Sequence, residues 1–426
     1  MSPDTPTPAR NFSPDDGAVS VAWVQRIIQD FIKPQHGMEL VPVPEALGRV
    51  LAADVLSPIH VPAHDNSAMD GFALRGTDLP GDGTAVFRIV GTAYAGRPFA
   101  GAVGTRECVR IMTGAVMPVD CDTVIPQEQT LERDADFMRL AAGVVRPGDN
   151  RRLQGEDLTK DKPAVLRGRV LRPADLGLLA SLGVAEVALR RRLKVAIFST
   201  GDELRSLGEA LEPGCIYDSN RYTLRGMLDR LGCEIVDLGV VRDDPISLEA
   251  ALRGACAQAD AIITSGGVSV GEADYTKQVM DTLGEVNFWK IGMRPGRPMA
   301  FGTISSNGKR AYLFGLPGNP VAVMVTFYFF VRDALLHLMG ARGEALPRLR
   351  AMAQADIRKK PGRTEYQRGI LGTDAQGQSV VRITGSQGSG VLRSMAEANC
   401  MVILGESQGN VCAGDWVSVV LFDGLV

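Results

Sequence analysis

Apolar positions recur at helical spacing in "VAWVQRIIQDFIK" (Val21 to Lys33), and the pattern predicts a helix there and a second short one across "VPEALGRVLAADV" (Val43 to Val55). From about Phe72 to Val145 the period shortens to β-type runs such as "FRIVGTAYAG", "CVRIMTG" and "DTVIPQE", punctuated by Gly and Pro. A polar return, "RPGDNRRLQGEDL", leads to "LRPADLGLLASLG", a helix with Pro173 near its start. Beyond Val195 strands and helices alternate: "VAIFS", a helix from Ser219 to Leu231, "CEIVDLGVV", "PISLEAALRGACAQA", "AIITS" and a helix from about Asp274 to Leu283. Such alternation predicts a parallel sheet with helices on both faces. The apolar run Val321 to Val331 reads as a buried helix, because it falls well short of the roughly 20 residues that span a bilayer. After Leu346 the texture is β again, as in "CMVILGES" and "WVSVVLF", which suggests a small barrel or sandwich.

The expected fold is therefore multidomain α/β: a three-layer α/β/α domain with a parallel sheet, a β-rich insert, a helical linker subdomain and a C-terminal β domain. The expected boundaries are 1–18 for a disordered tail, 19–63 with 151–190 for the linker, 64–150 for the insert, 191–342 for the α/β domain and 343–426 for the barrel-like domain.

Composition narrows the chemistry. The 426 residues carry a net charge of −3, so there is no global positive field to hold nucleic acid. Seven scattered cysteines, never spaced as CxxC, read as reduced packing residues in a cytoplasmic protein. Four histidines lack any transition-metal spacing, so a participating metal would be a hard one held by oxygen. The opening "MSPDTPTPARNFSPDDG" lacks the basic and apolar regions of a secretion signal, and no membrane span is expected.

Ligands of an open parallel sheet bind outside the carboxyl ends of its strands, where loops expose backbone N–H groups at helix N-termini. Four glycine-rich or acidic turns fall there: "STGDEL" (Ser199 to Leu204), "RDDP" (Arg242 to Pro245), "SGGVSVGEAD" (Ser265 to Asp274) and "GLPGNP" (Gly315 to Pro320). Glycine lets successive N–H groups face one anion, which suits phosphate, although a Gly-Gly pair also serves as a plain tight turn. Glu203, Asp243, Asp244, Glu272 and Asp274 on this rim would repel a bare phosphate and call for a divalent cation, with Mg²⁺ the natural candidate, or a hydrogen-bonding base as mediator. N-capping is the competing role for Asp243, Asp244 and Asp274. In "KIGMRPGRP" (Lys290 to Pro298), two guanidiniums around a Pro-Gly turn form a candidate oxyanion clamp. Upstream, "HDNSAMDGFAL" and "RIMTGAVMP" place Asp70 and Thr113 in polar loops of the insert.

Taken together, "NSAMDGFAL", "RIMTGAVMP", "GEDL", "FSTGDEL", "DSNRYTL", "SGGVSVGEADYTK", "RPGRP", "GLPGNP" and "GSQGSGVLRSM" closely resemble the molybdopterin molybdenumtransferase family, MoeA in bacteria and the E domain of gephyrin-type proteins. The resemblance implies an elongated homodimer that inserts molybdenum from molybdate into adenylylated molybdopterin, with release of AMP and help from Mg²⁺. Position by position, it implies that Asp70, Thr113 and Asp157 approach from the insert and return segment. It implies that Glu203, Asp243 and Asp274 serve catalysis, the metal and the pyrophosphate. Ser265, Gly266, Gly267, Ser269, Gly271, Pro317, Gly318 and Asn319 would form the turns around the adenylylated pterin. Lys290, Arg294, Arg297, Arg363 and Ser389 would line the molybdate and pterin side. Relatives often carry Lys where Arg294 and Arg297 stand, and some carry Ser at Ala322. A molybdopterin adenylyltransferase and molybdoenzyme chaperones are the partners such a role suggests. Two other readings stand beside it: an adenylyltransferase using ATP, which the α/β segment alone would fit, and a non-enzymatic dimeric scaffold.

Overall fold

The structure, a computed structural model, describes residues 17–425 except 36, 268–273 and 344, and of Asp274 and Tyr275 the backbone alone. Its centre is a six-stranded sheet in the order Glu234–Val241, Lys194–Thr200, Ala261–Ser265, Lys309–Leu316, Pro298–Ser306, Gly284–Lys290. The first four strands run parallel. The last two return as antiparallel hairpins, so the predicted parallel sheet has an antiparallel edge. "VNFWK" and "PMAFGTI" are joined through a short Gly/Pro loop rather than a helix, and a connection that short permits only antiparallel return.

Period-two alternation decides which side chains face which layer. Val195, Ile197, Ala261, Ile263, Phe301 and Phe314 enter one core. Ala196, Phe198, Ile262, Ile304 and Leu313 enter the other, beneath the helix Pro245–Gln258. The apolar run at 321–331 forms the middle of the helical stretch Pro320–Leu338, in which 72% of the apolar window is buried. It is a core helix, as expected, with a π turn at Phe327–Val331.

The helix Val21–Phe31 forms as its periodicity predicts, capped by Ser20. Although expected within the linker, it buries Val24 and Ile28 in the core of the α/β unit, and Trp23 meets Trp289 edge-on at 5.8 Å. The second predicted helix does not form: only a 3-10 turn appears at Val43–Glu45. Gly48 takes φ +73, and Val50 and Leu51 form β-bridges to Val170 and Leu189. The apolar residues there are consumed by a small β cluster with Val41, Val187 and Leu189, which overrides a modest helix propensity. The linker is thus as much strand as helix.

The insert is a six-stranded sheet from Gly71–Leu74 through Phe137–Ala141, with alternating residues filling a core on each face. The C-terminal unit is a barrel: Thr364–Thr373, Ser379–Ile383, Leu349–Ala353, Trp416–Leu421 and Cys400–Leu404 follow in order, and the last pairs back onto the first. Closure removes the sheet edges. One additional short strand, Met293–Arg294, joins it from the α/β domain by parallel pairing with Thr364 and Glu365.

Candidate active site

Parallel pairing brings the ends of Lys194–Thr200, Ala261–Ser265 and Lys309–Leu316 to one rim, and the turns that follow lie against one another. Asn220, in the first turn of the helix Ser219–Arg230, donates through Nδ2 to Ser265 Oγ at 2.9 Å and to the Gly318 carbonyl at 2.7 Å. The Gly266 amide donates to the Leu316 carbonyl at 3.1 Å. Asp218 caps the same helix and accepts from Ser199 Oγ at 3.1 Å. One short segment, "DSN", therefore ties three turns together.

Gly266 has φ +93, and a Cβ there would lie 2.4 Å from the Thr200 carbonyl oxygen. Left-handed backbone and direct backbone contact leave no other residue type for this position. Around it, Thr200 Oγ1, Thr276 Oγ1 and Asn220 Oδ1 are buried without a partner among the described residues. Buried polar atoms are rarely left unpaired, so three such atoms around one turn mark a place where a ligand or water completes the hydrogen bonding.

The acids occupy the outer edge of the rim. The Glu203 carboxylate folds back over Gly201, 2.7 Å from where a Cβ would stand. Asp202 Oδ1 accepts from the Asp243 amide at 3.4 Å, linking the first and second turns. Asp244 is a cap, accepting from Ile246 and Ser247 amides at 3.1 and 2.9 Å. Asp274 begins the helix Asp274–Leu283; its side chain, Ser269, Gly271 and Glu272 lie outside the described residues. Among the described residues no three His, Cys, Asp or Glu side chains converge as a metal cage.

Arg294 and Arg297 flank a turn whose Gly296, at φ +93, approaches Thr326 so closely that a Cβ would lie 2.7 Å from its methyl. The Arg297 carbonyl accepts from the Ile291 amide at 2.7 Å, closing the loop. Arg294 is exposed and faces a cavity of about 290 Å³ shared with Glu365, Arg368 and Gln387 of the barrel. Lys290 is exposed at the end of its strand, and its carbonyl accepts from Val19. Ser389 reaches the rim through its carbonyl, which accepts from the Val321 amide at 3.0 Å. Arg363 precedes the barrel strand that Arg294 pairs beside. The structure thus brings Gly266, Gly318, Asn319 and Ser389 into one neighbourhood, while Arg294 lines a cavity with barrel residues.

Asp70 and Thr113 form a separate pair. Gly71 stands opposite Ile111, so the residues beyond them meet, and Asp70 Oδ1 accepts from the Thr113 amide at 2.7 Å and hydroxyl at 2.8 Å. These two bonds, backbone first, hold the Asp70 carboxyl below the usual range. Replacing Thr113 with Val is expected to raise the Asp70 midpoint while leaving it below an ordinary aspartate, as followed by carboxyl NMR titration. Asp157 lies on the return segment, its amide donating to Val61. Among the described residues the hydrogen bonds of Asp70, Thr113 and Asp157 stay within the insert and the linker.

Asn220, Thr200, Thr276 and Arg368 escape a reading of candidate residues from sequence. "DSNRYTL" contains the first, and an Asx cap signal marks the segment, but its role as a clasp depends on which strands become neighbours.

This architecture defines a multidomain α/β protein with a glycine-turn rim backed by a basic loop shared with a β barrel. Residues 19–183 match the model of the MoeA N-terminal region (domain I and II), 196–337 the probable molybdopterin binding domain, and 350–422 the MoeA C-terminal region (domain IV). The chain is 44% identical over 384 residues to a molybdopterin molybdenumtransferase of Haemophilus influenzae, covering 90% of this chain and 93% of that one. It is 33% identical over 423 residues to one of Nostoc, covering 98% and 96%. A crystal structure of a molybdopterin biosynthesis MoeA protein from Pyrococcus horikoshii superposes with a TM-score of 0.81 at 27% identity, covering 95% of this chain and 100% of that one. The chain belongs to the MoeA family of molybdopterin molybdenumtransferases. Likeness extends over insert and barrel as well as the α/β domain, so the family assignment does not depend on the rim alone.

Proposed function

We propose that this transferase takes molybdenum from molybdate into adenylylated molybdopterin and releases AMP. The observation that carries the reading is the convergence of the Gly266 and Gly318 turns, clasped by Asn220, beside an arginine loop joined to the barrel. Amides and hydroxyls at the turns offer neutral donors for a pyrophosphate, and Arg294 and Arg297 offer forked cationic donors for a tetrahedral dianion. The dithiolene sulfurs of the pterin are the soft ligands that accept molybdenum, so buried cysteines such as Cys108 and Cys233, whose thiols burial pushes up to about 12, take no part.

Mg²⁺ fits a substrate-borne role. Glu203 and Asp243 on adjacent turns would supply carboxylates, with Asp274 following the third strand, and phosphate oxygens would complete the set; when bound, the ion neutralises phosphate charge. The protein's own groups position the substrates: Asn220 holds the turns, the arginine loop places the dianion, and an acid orients water for phosphoanhydride cleavage. Asp70 and Thr113 enter this scheme from the insert of a second copy in a homodimer, and Asp157 from the return segment, in the cytoplasm.

The test is AMP release by purified protein given adenylylated molybdopterin. We expect AMP to form with molybdate and Mg²⁺ and to fall sharply when either is withheld, with Arg294→Ala/Arg297→Ala needing far more molybdate. Production of adenylylated pterin from ATP, with no molybdate-dependent AMP, would overturn the reading.

A further inference from the structure

Among the described residues Arg368 is the largest fully buried side chain, at 0% exposure, and it has no carboxylate partner there. Its acceptors are neutral oxygens. Nε donates to Ser394 Oγ at 2.9 Å, Nη1 to the Gln387 carbonyl at 3.1 Å, and Nη2 to the Ser386 and Gly388 carbonyls at 3.1 and 3.0 Å. Three successive carbonyls of the turn 385–390 thus curl around one guanidinium. The backbone repeats the attachment: the Arg368 amide donates to Gln387 Oε1 at 2.8 Å, while Gln387 Nε2 donates to the Thr384 carbonyl at 2.7 Å.

We infer that Arg368 is a positioning residue, which shapes the turn 385–390 so that Ser389 meets the first turn of the Pro320–Thr326 helix. That joint is the Val321 amide donating to the Ser389 carbonyl at 3.0 Å, with Asn319 Oδ1 lying 3.9 Å from where a Gly390 Cβ would stand. Val321 carries one of the orphan amides of a helix start, and the barrel's turn satisfies it. The barrel and the "GLPGNP" turn are held in register by this contact, and Arg368 stands behind it.

The choice of arginine follows from geometry. A buried, unpaired cation is costly, and burial with the nearby Arg294 charge lowers this guanidinium to about 10. Lysine would carry the same charge, but its three donors radiate from one nitrogen and cannot span acceptors on both edges of a plane. Retaining the more demanding group makes sense where the shape of the turn matters.

The inference rests on the proposed function only in giving Ser389 a place beside the oxyanion, and the experiment separates the two. Hydrogen exchange of the full-length protein is measured for wild type, Arg368→Lys and Arg368→Ala, the last with and without guanidinium chloride at low, non-denaturing concentration. We expect exchange to rise about tenfold or more at 385–391 and at Val321 in both variants, with 261–265 unchanged, and guanidinium to restore protection in Arg368→Ala. Unchanged protection at Val321 in Arg368→Lys, or loss of protection throughout the molecule, overturns the inference. Turnover is the second readout: the KM for molybdate should rise while that for the adenylylated pterin holds. Local loss of protection with both KM values unchanged would support the positioning role and remove Ser389 from the molybdate side.

Discussion

Gly266→Ala is expected to lower stability by about 2–4 kcal/mol and to abolish ligand binding at the rim, since a left-handed alanine costs about 1 kcal/mol and an overlap with fixed backbone costs more. The methyl would stand 2.4 Å from the Thr200 carbonyl and 2.9 Å from its hydroxyl. Neither can retreat easily, because Thr200 ends a strand paired on both sides. If the glycine moves instead, its amide leaves Leu316, and Ser265 draws away from Asn220. Gly239→Ala is the control: its φ is +77, similarly left-handed, but nothing lies within 4 Å of the added carbon. The difference between the two in urea denaturation isolates the steric contribution. Equal losses would mean that backbone conformation alone reserves Gly266, and binding of AMP retained by Gly266→Ala would show that this turn does not hold the nucleotide.

The alternating strands and helices were legible because their period is local: the side chains of "VAIFS" alternate between two cores by geometry alone. Motifs at strand ends were legible for the same reason, since a parallel strand followed by glycine places its turn on a common rim. The antiparallel edge was less so, as "VNFWK" and "PMAFGTI" read as strands but nothing in them states direction. "VPEALGRVLAADV" misled because its apolar spacing suits a helix, while its partners, Val170 and Leu189, lie more than a hundred residues away. Distance in sequence also hid Asn220, whose two contacts are 45 and 98 residues off. Arg368 was hidden by type: an arginine in "TEYQRGI" looks like a surface residue of an alternating strand, and only barrel closure buries it.

At molybdate too dilute for the arginine-loop variant to work, coexpression of an Asp70 variant with it is expected to recover about a quarter of wild-type AMP release if each site takes Asp70 from one copy and the arginine loop from another. Random pairing of Asp70→Ala with Arg294→Ala/Arg297→Ala chains makes about half the dimers mixed, and each mixed dimer carries one site with both lesions and one with neither. Asp70 is braced by two bonds to Thr113 and kept charged, an arrangement that fixes a carboxylate at the surface. Affinity tags of two kinds would allow mixed dimers to be purified, and activity per mixed dimer should approach half that of wild type. Mixed dimers as inactive as either parent would place both groups in sites of a single chain, or remove one of them from the site, and the shared-site reading would fall.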